Sequence, residues 1–495
     1  MSEFLNEQSS GQENNGETET TAINPKDTLY PTINHIINEF QDCGDLVHRT
    51  YPQNNVDVFY FDHLVDFKKL KQSVLNPCST FTLEQIQTLL NERQYLPVSE
   101  SKKAITEILD GKALLFFNDE PYIVDIYGPK ERAIVQSESE TVITGPHDAL
   151  VEGSGTNLSI IRRRVKSSHL KVLKFTVGEV AKTDVYLLYI KEIANPDLIH
   201  QLIERIKGVE VDAIHDTNMM VQMIDENPNS IFPQYLTTER PDTVASKLIA
   251  GRIVGIIDGS PSAFIAPTSF FEFFASPDDY YQRWWIGSFI RVLRFFAFII
   301  TILFTSLYVS ATTYHYEIIP DTLLISLAES RSRVPFPPIY EALLLEVTIE
   351  LLREAGARLP TKIGQTIGIV GGIVIGQAAV DAGFTSNILI IAVAISAIAS
   401  FVIPSYIMSA SIRLIRFGLI ILAGIWGNFG IVVGIAFIII HLSGVTNVGT
   451  SYVTPLAPFY KKDWLDTFVR GPLWALQKRP VQSISPNMKR NKMRR

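Results

Sequence analysis

The chain has 495 residues, 46% of them hydrophobic, and a net charge of −7. That length exceeds a single domain, and the acidic balance gives no footing for a nucleic-acid binder. Two cysteines, Cys43 and Cys78, exclude a disulfide framework and fit a reducing compartment. Most acidic residues lie before Asp279, whereas 284–445 is rich in Ile, Leu, Phe, Ala and Gly, so a polar half precedes an apolar one.

Residues 1–27 are polar, have no signal-peptide pattern and are expected to be disordered. Without an export signal the polar half is expected on the cytoplasmic side. Residues 28–153 read as one α/β subdomain. Val56–Phe61 is a strand candidate, and helices are predicted over Thr82–Asn91, with Thr82 as cap, and Ser101–Leu109. Gly111 is a C-cap candidate. Ala113–Phe117 and Tyr122–Tyr127, split by Asn118–Pro121, predict a hairpin. Gly153–Ser154–Gly155 reads as a flexible junction. Residues 154–282 form a second subdomain, with strands at Val172–Val177, Val185–Ile190 and Arg252–Ile257 and helices at Pro196–Lys207 and Asp242–Ala250. The fold class is therefore α/β or α+β in two parts, followed by an α-helical polytopic membrane domain. The strand order stays open.

The membrane domain, 283–445, begins at a belt of Tyr280, Tyr281, Arg283, Trp284 and Trp285. Firm spans are predicted near 289–310, 361–380, 384–403 and 417–440, with an amphipathic membrane-associated segment at 338–358. Residues 446–495 form a basic tail, expected to be cytoplasmic. Four spans keep both ends on one side but place Arg353, Arg358, Lys362, Arg413 and Arg416 outside. Membrane entry by 339–357 and a break at Gly427–Asn428 would give six instead.

No catalytic constellation or phosphate loop is present, the nine histidines are scattered, and no cofactor or metal set is indicated. Gly364, Gly368, Gly372 and Gly376 recur every fourth residue, a pattern that lets membrane helices approach closely. It fits packing within one chain or between copies. Val370, Ile373, Val374 and Gln377 share that helix and are the pore or gate candidates if it lines a conducting path. Glu346 and Glu350 can form an acidic ring that selects cations. The plainer reading is a local pair on an interfacial helix, Glu350 with Arg353 or Glu354 with Arg358.

Several stretches together resemble the A subunit of the GerA-family spore germinant receptors. They are LSIIRRR after Asn157, PQYLTTERPD after Phe232, RIVGIIDGSPSAFIAPTSFFEFFASPDDYY after Gly251, PFPPIYEALLLEVTIELLREAGARLPTKIGQTIGIVGGIVIGQAA after Val334, and PLAPF after Thr454. The resemblance implies a non-enzymatic nutrient-sensor subunit of the spore inner membrane, multi-pass, with both termini on the core side. It implies a homo-oligomer that acts with a transporter-like B subunit and a lipoprotein C subunit. Such an assembly would pass monovalent cations, with membrane lipids around it. A non-conducting signalling scaffold is the alternative.

Overall fold

The computed structural model of the chain describes residues 30–129, 137, 140, 142–359, 374 and 376–490. The predicted disordered segment, 1–27, lies outside these.

The polar half is one plan used twice. The first unit runs α1 (Ile33–Glu39), β1 (Leu46–Tyr51), β2 (Val56–Phe61), α2 (Leu83–Leu90), β3 (Tyr95–Pro97), α3 (Ser101–Leu109), β4 (Ala113–Phe117) and β5 (Glu120–Val124). The second runs α4 (Ser154–Arg164), β6 (Leu170–Val177), β7 (Thr183–Ile190), α5 (Pro196–Lys207), β8 (Leu236–Thr238), α6 (Pro241–Ile249), β9 (Ile253–Ile257) and β10 (Ala263–Ala266). The strand orders are β1-β2-β4-β5-β3 and β6-β7-β9-β10-β8, the same order shifted by five, and neighbours are antiparallel throughout.

Local chemistry explains the elements. Thr82 and Gln85 make a capping box for α2, and Asn195 caps α5 through the amides of Asp197 and Leu198. Asn118 and Asp119, both at positive φ, turn the β4–β5 hairpin. Side chains of β2 alternate between two cores: Val56, Val58 and Tyr60 join one, Phe59 and Phe61 the other. The second sheet divides the same way, with Leu187 on one face and Leu188 on the other. Helices cover both faces, which is why β4 and β9 read as unbroken apolar runs. At Gly255 an added Cβ would sit 2.1 Å from the Phe264 ring on the paired strand, so only glycine fits there.

The units meet through Arg162, which donates to both oxygens of Asp45 at 2.8 and 2.7 Å, and through reciprocal backbone bonds of Gly44 and Asp42 to Val172. The expected flexible junction is instead a helix start: Gly153 is the N-cap of α4.

The apolar half contains α7 (Trp284–Thr313), α8 (Asp321–Arg331), α9 (Pro338–Arg358), α10 (Asn387–Phe401) and α11 (Tyr406–Gly444). Two of these, α7 and α11, are long and apolar enough to cross a membrane. α11 is broken at Gly427, which has φ 60° and ψ −140°. Its two limbs fold back on each other: an added Cβ on Gly430 would meet the Leu422 carbonyl at 2.1 Å, and one on Gly434 the Leu419 side chain at 2.4 Å. Both limbs return to one loop, Ser411 donating to the Ile231 carbonyl and His441 lying 2.9 Å from Ser230.

These contacts give the bundle a base, at the second α/β unit, and a far end. α7 starts at the base and reaches the far end, where the Tyr314 hydroxyl donates to the Gly424 and Ile425 carbonyls. α9 begins there, with Ile339 against Gly424, and finishes with Arg353 on Ser400. α10 descends alongside, from Ser386 near Tyr308 to Ser400 near Ser409. Gly383 and Phe384 are again at the far end, where Gly383 lies on Arg333 and Phe384 stacks on Phe336.

Residues 446–490 are packed against the base. Arg479 donates to the Ile249 carbonyl, Asn195 to the Ile484 carbonyl and Ser485 to the Ile193 carbonyl.

Candidate functional site

A polar column runs through the bundle. α9 carries Glu346 and Glu350 four residues apart, and the first limb of α11 carries Arg413 and Arg416 three apart, so each pair shares one helical face. Glu346 and Arg416 are both fully buried, 2.5 Å apart. Thr305 of α7 donates to Glu346 Oε1 at 3.0 Å, and Arg416 Nη1 donates to Ser396 of α10 at 2.9 Å. Ser396 in turn donates to the Thr301 carbonyl. One ion pair therefore ties α7, α9, α10 and α11 together.

A turn nearer the base, Arg413 Nε donates to Glu350 Oε1 at 3.0 Å, and its Nη1 to Ser409. The Glu350 side chain is 36% exposed. Arg353 donates to Ser400 and stacks 4.2 Å over the Phe401 ring. At the far end Glu341 pairs with Arg331 at 3.3 Å and accepts from the Ser386 amide. Isolated charges in such a setting cost several kcal/mol, so each is held by an opposite charge or hydroxyl.

The partner of Glu350 is thus Arg413, not Arg353. Glu354 and Arg358 do pair, at 2.6 Å on the helix surface. Sequence reasoning missed Arg413 and Arg416 as partners of the glutamates. Their signal was the matching three- and four-residue spacing on two apolar helices.

Gly364, Gly368, Val370, Gly372 and Ile373 lie outside the described residues. Gly376 is described, and a Cβ there would meet nothing within 4 Å. Val374 is 58% exposed, and Gln377, also exposed, bonds to Asp381.

A second charged knot sits at the base. Asp279, 1% exposed, accepts from Arg291 at 3.0 Å and from Arg294 at 2.8 Å. Arg291 also donates to the Asp466 carbonyl, and the Tyr280 hydroxyl donates to the Asp466 carboxylate. Around it Phe270, Phe271, Phe274, Phe295, Phe298 and Phe468 form an aromatic cluster joining the second unit to α7. Nearby, Glu226 accepts from Arg205, Thr446 and the Gly449 amide, and burial pushes the adjoining Asp225 carboxyl up to about 7.

Among the described residues no group of His, Cys, Asp and Glu could hold a metal ion. Both cysteines are buried and free, and burial pushes the Cys78 thiol up to about 12, far from a thiolate nucleophile.

Residues 34–482 match the family described as Bacillus/Clostridium GerA spore germination protein. Spore germination protein GerQA of Bacillus cereus is 40% identical over 472 residues, covering 93% of this chain and 94% of that one. Spore germination protein A1 of Bacillus subtilis (strain 168) is 37% identical over 470 residues, covering 93% and 97%. The crystal structure of the N-terminal domain of the A subunit of the Bacillus megaterium spore germinant receptor GerK3 aligns with a TM-score of 0.37 at 23% identity, covering 49% of this chain and 97% of that one. A match across nearly the whole folded chain, by sequences that share its length, places the protein in the GerA family as an A subunit of a spore germinant receptor.

Proposed function

We propose that this A subunit works in spore germination as a six-pass membrane protein whose copies assemble into a nutrient-gated cation channel. α7, α9, α10 and the two limbs of α11 each run between the base and the far end. The predicted span 361–380, which lies mostly outside the described residues, is the sixth pass in this reading. Six passes leave Arg353, Arg358, Lys362 and Arg413 on the side of the two α/β units, as the bias of Lys and Arg toward the cytoplasm requires. Both termini then lie on that side as well.

The observation that carries the assembly is at Val374 and Gly376: Val374 is exposed and Gly376 has open space beside it. Exposed positions at the described end of a small-residue segment suit contact with another copy. In that arrangement Val370, Ile373, Val374 and Gln377 line or gate the path, and Gly364, Gly368, Gly372 and Gly376 set the approach of neighbouring copies. Glu350, the more exposed of the two glutamates, biases the path toward cations, while Glu346 holds Arg416. A transporter-like B subunit supplies nutrient recognition, and a lipoprotein C subunit is the further partner. The alternative is a non-conducting relay, favoured by the Asp279 knot that couples the second unit, α7 and the tail.

Potassium efflux from vesicles holding the reconstituted receptor tests the reading. Val374→Ser is expected to raise efflux without nutrient. Assembled receptor that passes no potassium, with nutrient or in this variant, leaves the relay.

A further inference from the structure

A cavity of about 350 Å³ lies where the second α/β unit, the approach to α7 and the C-terminal tail meet. That volume falls in the range of small-molecule sites, about 300–1,000 Å³. Arg252, 1% exposed, lines it. Its Nη2 donates to Glu272 and, at 3.2 Å, to Gln482 of the tail. Its Nε and Nη1 have no hydrogen-bond partner among the described residues. Buried guanidinium nitrogens left without acceptors are costly, and in native proteins they commonly mark a site for an anion or ordered solvent.

With Arg252 counted, the charged lining carries a net positive charge of one. Lys247 donates to the second oxygen of Glu272, so that carboxylate already serves two cations. Asp463 accepts from the Val481 amide at 2.7 Å, and Asp466 is taken by Tyr280 and Arg291. Lys462 and Lys478, from two separate points of the tail, add two further ammonium groups. Four cations therefore face three acids: Glu272 is shared by Arg252 and Lys247, while Asp463 and Asp466 are engaged by the tail, Tyr280 and Arg291.

We propose that this cavity binds a phosphate group, borne by a free phosphate or by a phospholipid headgroup. Its cations come from separate points of the chain: Arg252 just before β9, and Lys462 and Lys478 from the tail. A tetrahedral group with three acceptor oxygens can meet all three, whereas a planar carboxylate offers two. A headgroup source is geometrically available, because Tyr280 lines the cavity four residues before Trp284 opens α7. The bound group would join the tail to the second unit. This inference does not depend on whether the receptor conducts.

The test uses the detergent-purified full chain and the double variant Lys462→Gln/Lys478→Gln, whose exposed side chains can change without opening a core. Binding of radiolabelled inorganic phosphate is measured by equilibrium dialysis. Phosphatidic acid retained from mixed vesicles with phosphatidylcholine is measured by mass spectrometry, and thermal unfolding checks that the variant folds. Saturable phosphate binding near one per chain, weakened at least tenfold in the variant, supports the free form. Selective retention of phosphatidic acid, lost in the variant and not displaced by phosphate, supports the headgroup. Phosphate binding and lipid retention that are absent, or the same in a folded variant as in the wild type, overturn the proposal.

Discussion

Among the described residues Glu346 and Arg416 form the buried ion pair at the centre of the bundle, and neither reaches solvent. Glu346→Gln keeps the shape but leaves Arg416 buried with amides and hydroxyls, a change that costs about 3–5 kcal/mol for a broken buried pair. The expected outcome is a marked loss of thermal stability and abundance in detergent-extracted protein. Glu346→Leu with Arg416→Met should recover most of that loss, because removing both charges removes the desolvation penalty too. Asp225 titrates in a range the cell can reach. Burial raises its folded pKa to about 7 from the ordinary 3.8, so the fold favours the neutral acid. Stability should therefore be fullest below about pH 4 and decline as pH rises to about 7. Asp225→Asn should flatten that decline and raise the thermal midpoint at pH 8 above wild type. A wild-type slope surviving in the variant would assign it to another group.

At the scale of elements, the hairpin of α11 turns on one residue. Gly427 sits at φ 60° and ψ −140°, a conformation that side chains avoid, and a Cβ there would approach His315 and Tyr314 at 3.0–3.1 Å. Gly427→Ala should cost about 1–3 kcal/mol and lower the yield of folded protein. Gly418→Ala is the matched control. Its Cβ meets nothing within 4 Å in a helix interior, so a gain of about 0.5–1 kcal/mol is expected from helix propensity. Thermal unfolding of both variants side by side checks the contrast; equal losses would mean that the limbs tolerate a side chain at the turn. The four-span expectation had treated this apolar run as one helix, with the break kept as an alternative. Periodicity cannot separate a long helix from two antiparallel ones, because both limbs are apolar on most faces.

Across the whole molecule, the tail is a strap. It holds the second unit through Arg479, Gln482 and Ser485, and the base of α7 through Asp466 and Arg470, whose carbonyl accepts from Ser288. Deleting 462–495 should raise amide exchange in α6 and β9, near Ile249 and Arg252, and leave the first unit's exchange unchanged. Unaltered exchange at α6 would show that the tail adds nothing to the second unit's stability.

Much of this protein is written locally. Thr82, Asn195 and Pro196 start helices by satisfying or dispensing with orphan amides, and alternation or short apolar runs mark β2, β7 and β9, so these elements were legible within a few residues. The edge strands β3 and β8 are three residues each, too short to carry a pattern, and the repeated strand order depends on pairings between residues far apart in the chain. Glu346 and Glu350 stood out as acids in an apolar setting. Their partners Arg413 and Arg416 lie more than 60 residues away. Composition and motif determined the family resemblance and the division into two halves. Which charge meets which, and that the last helix doubles back, depended on tertiary packing, because a buried charge takes whichever opposite charge the fold brings within reach.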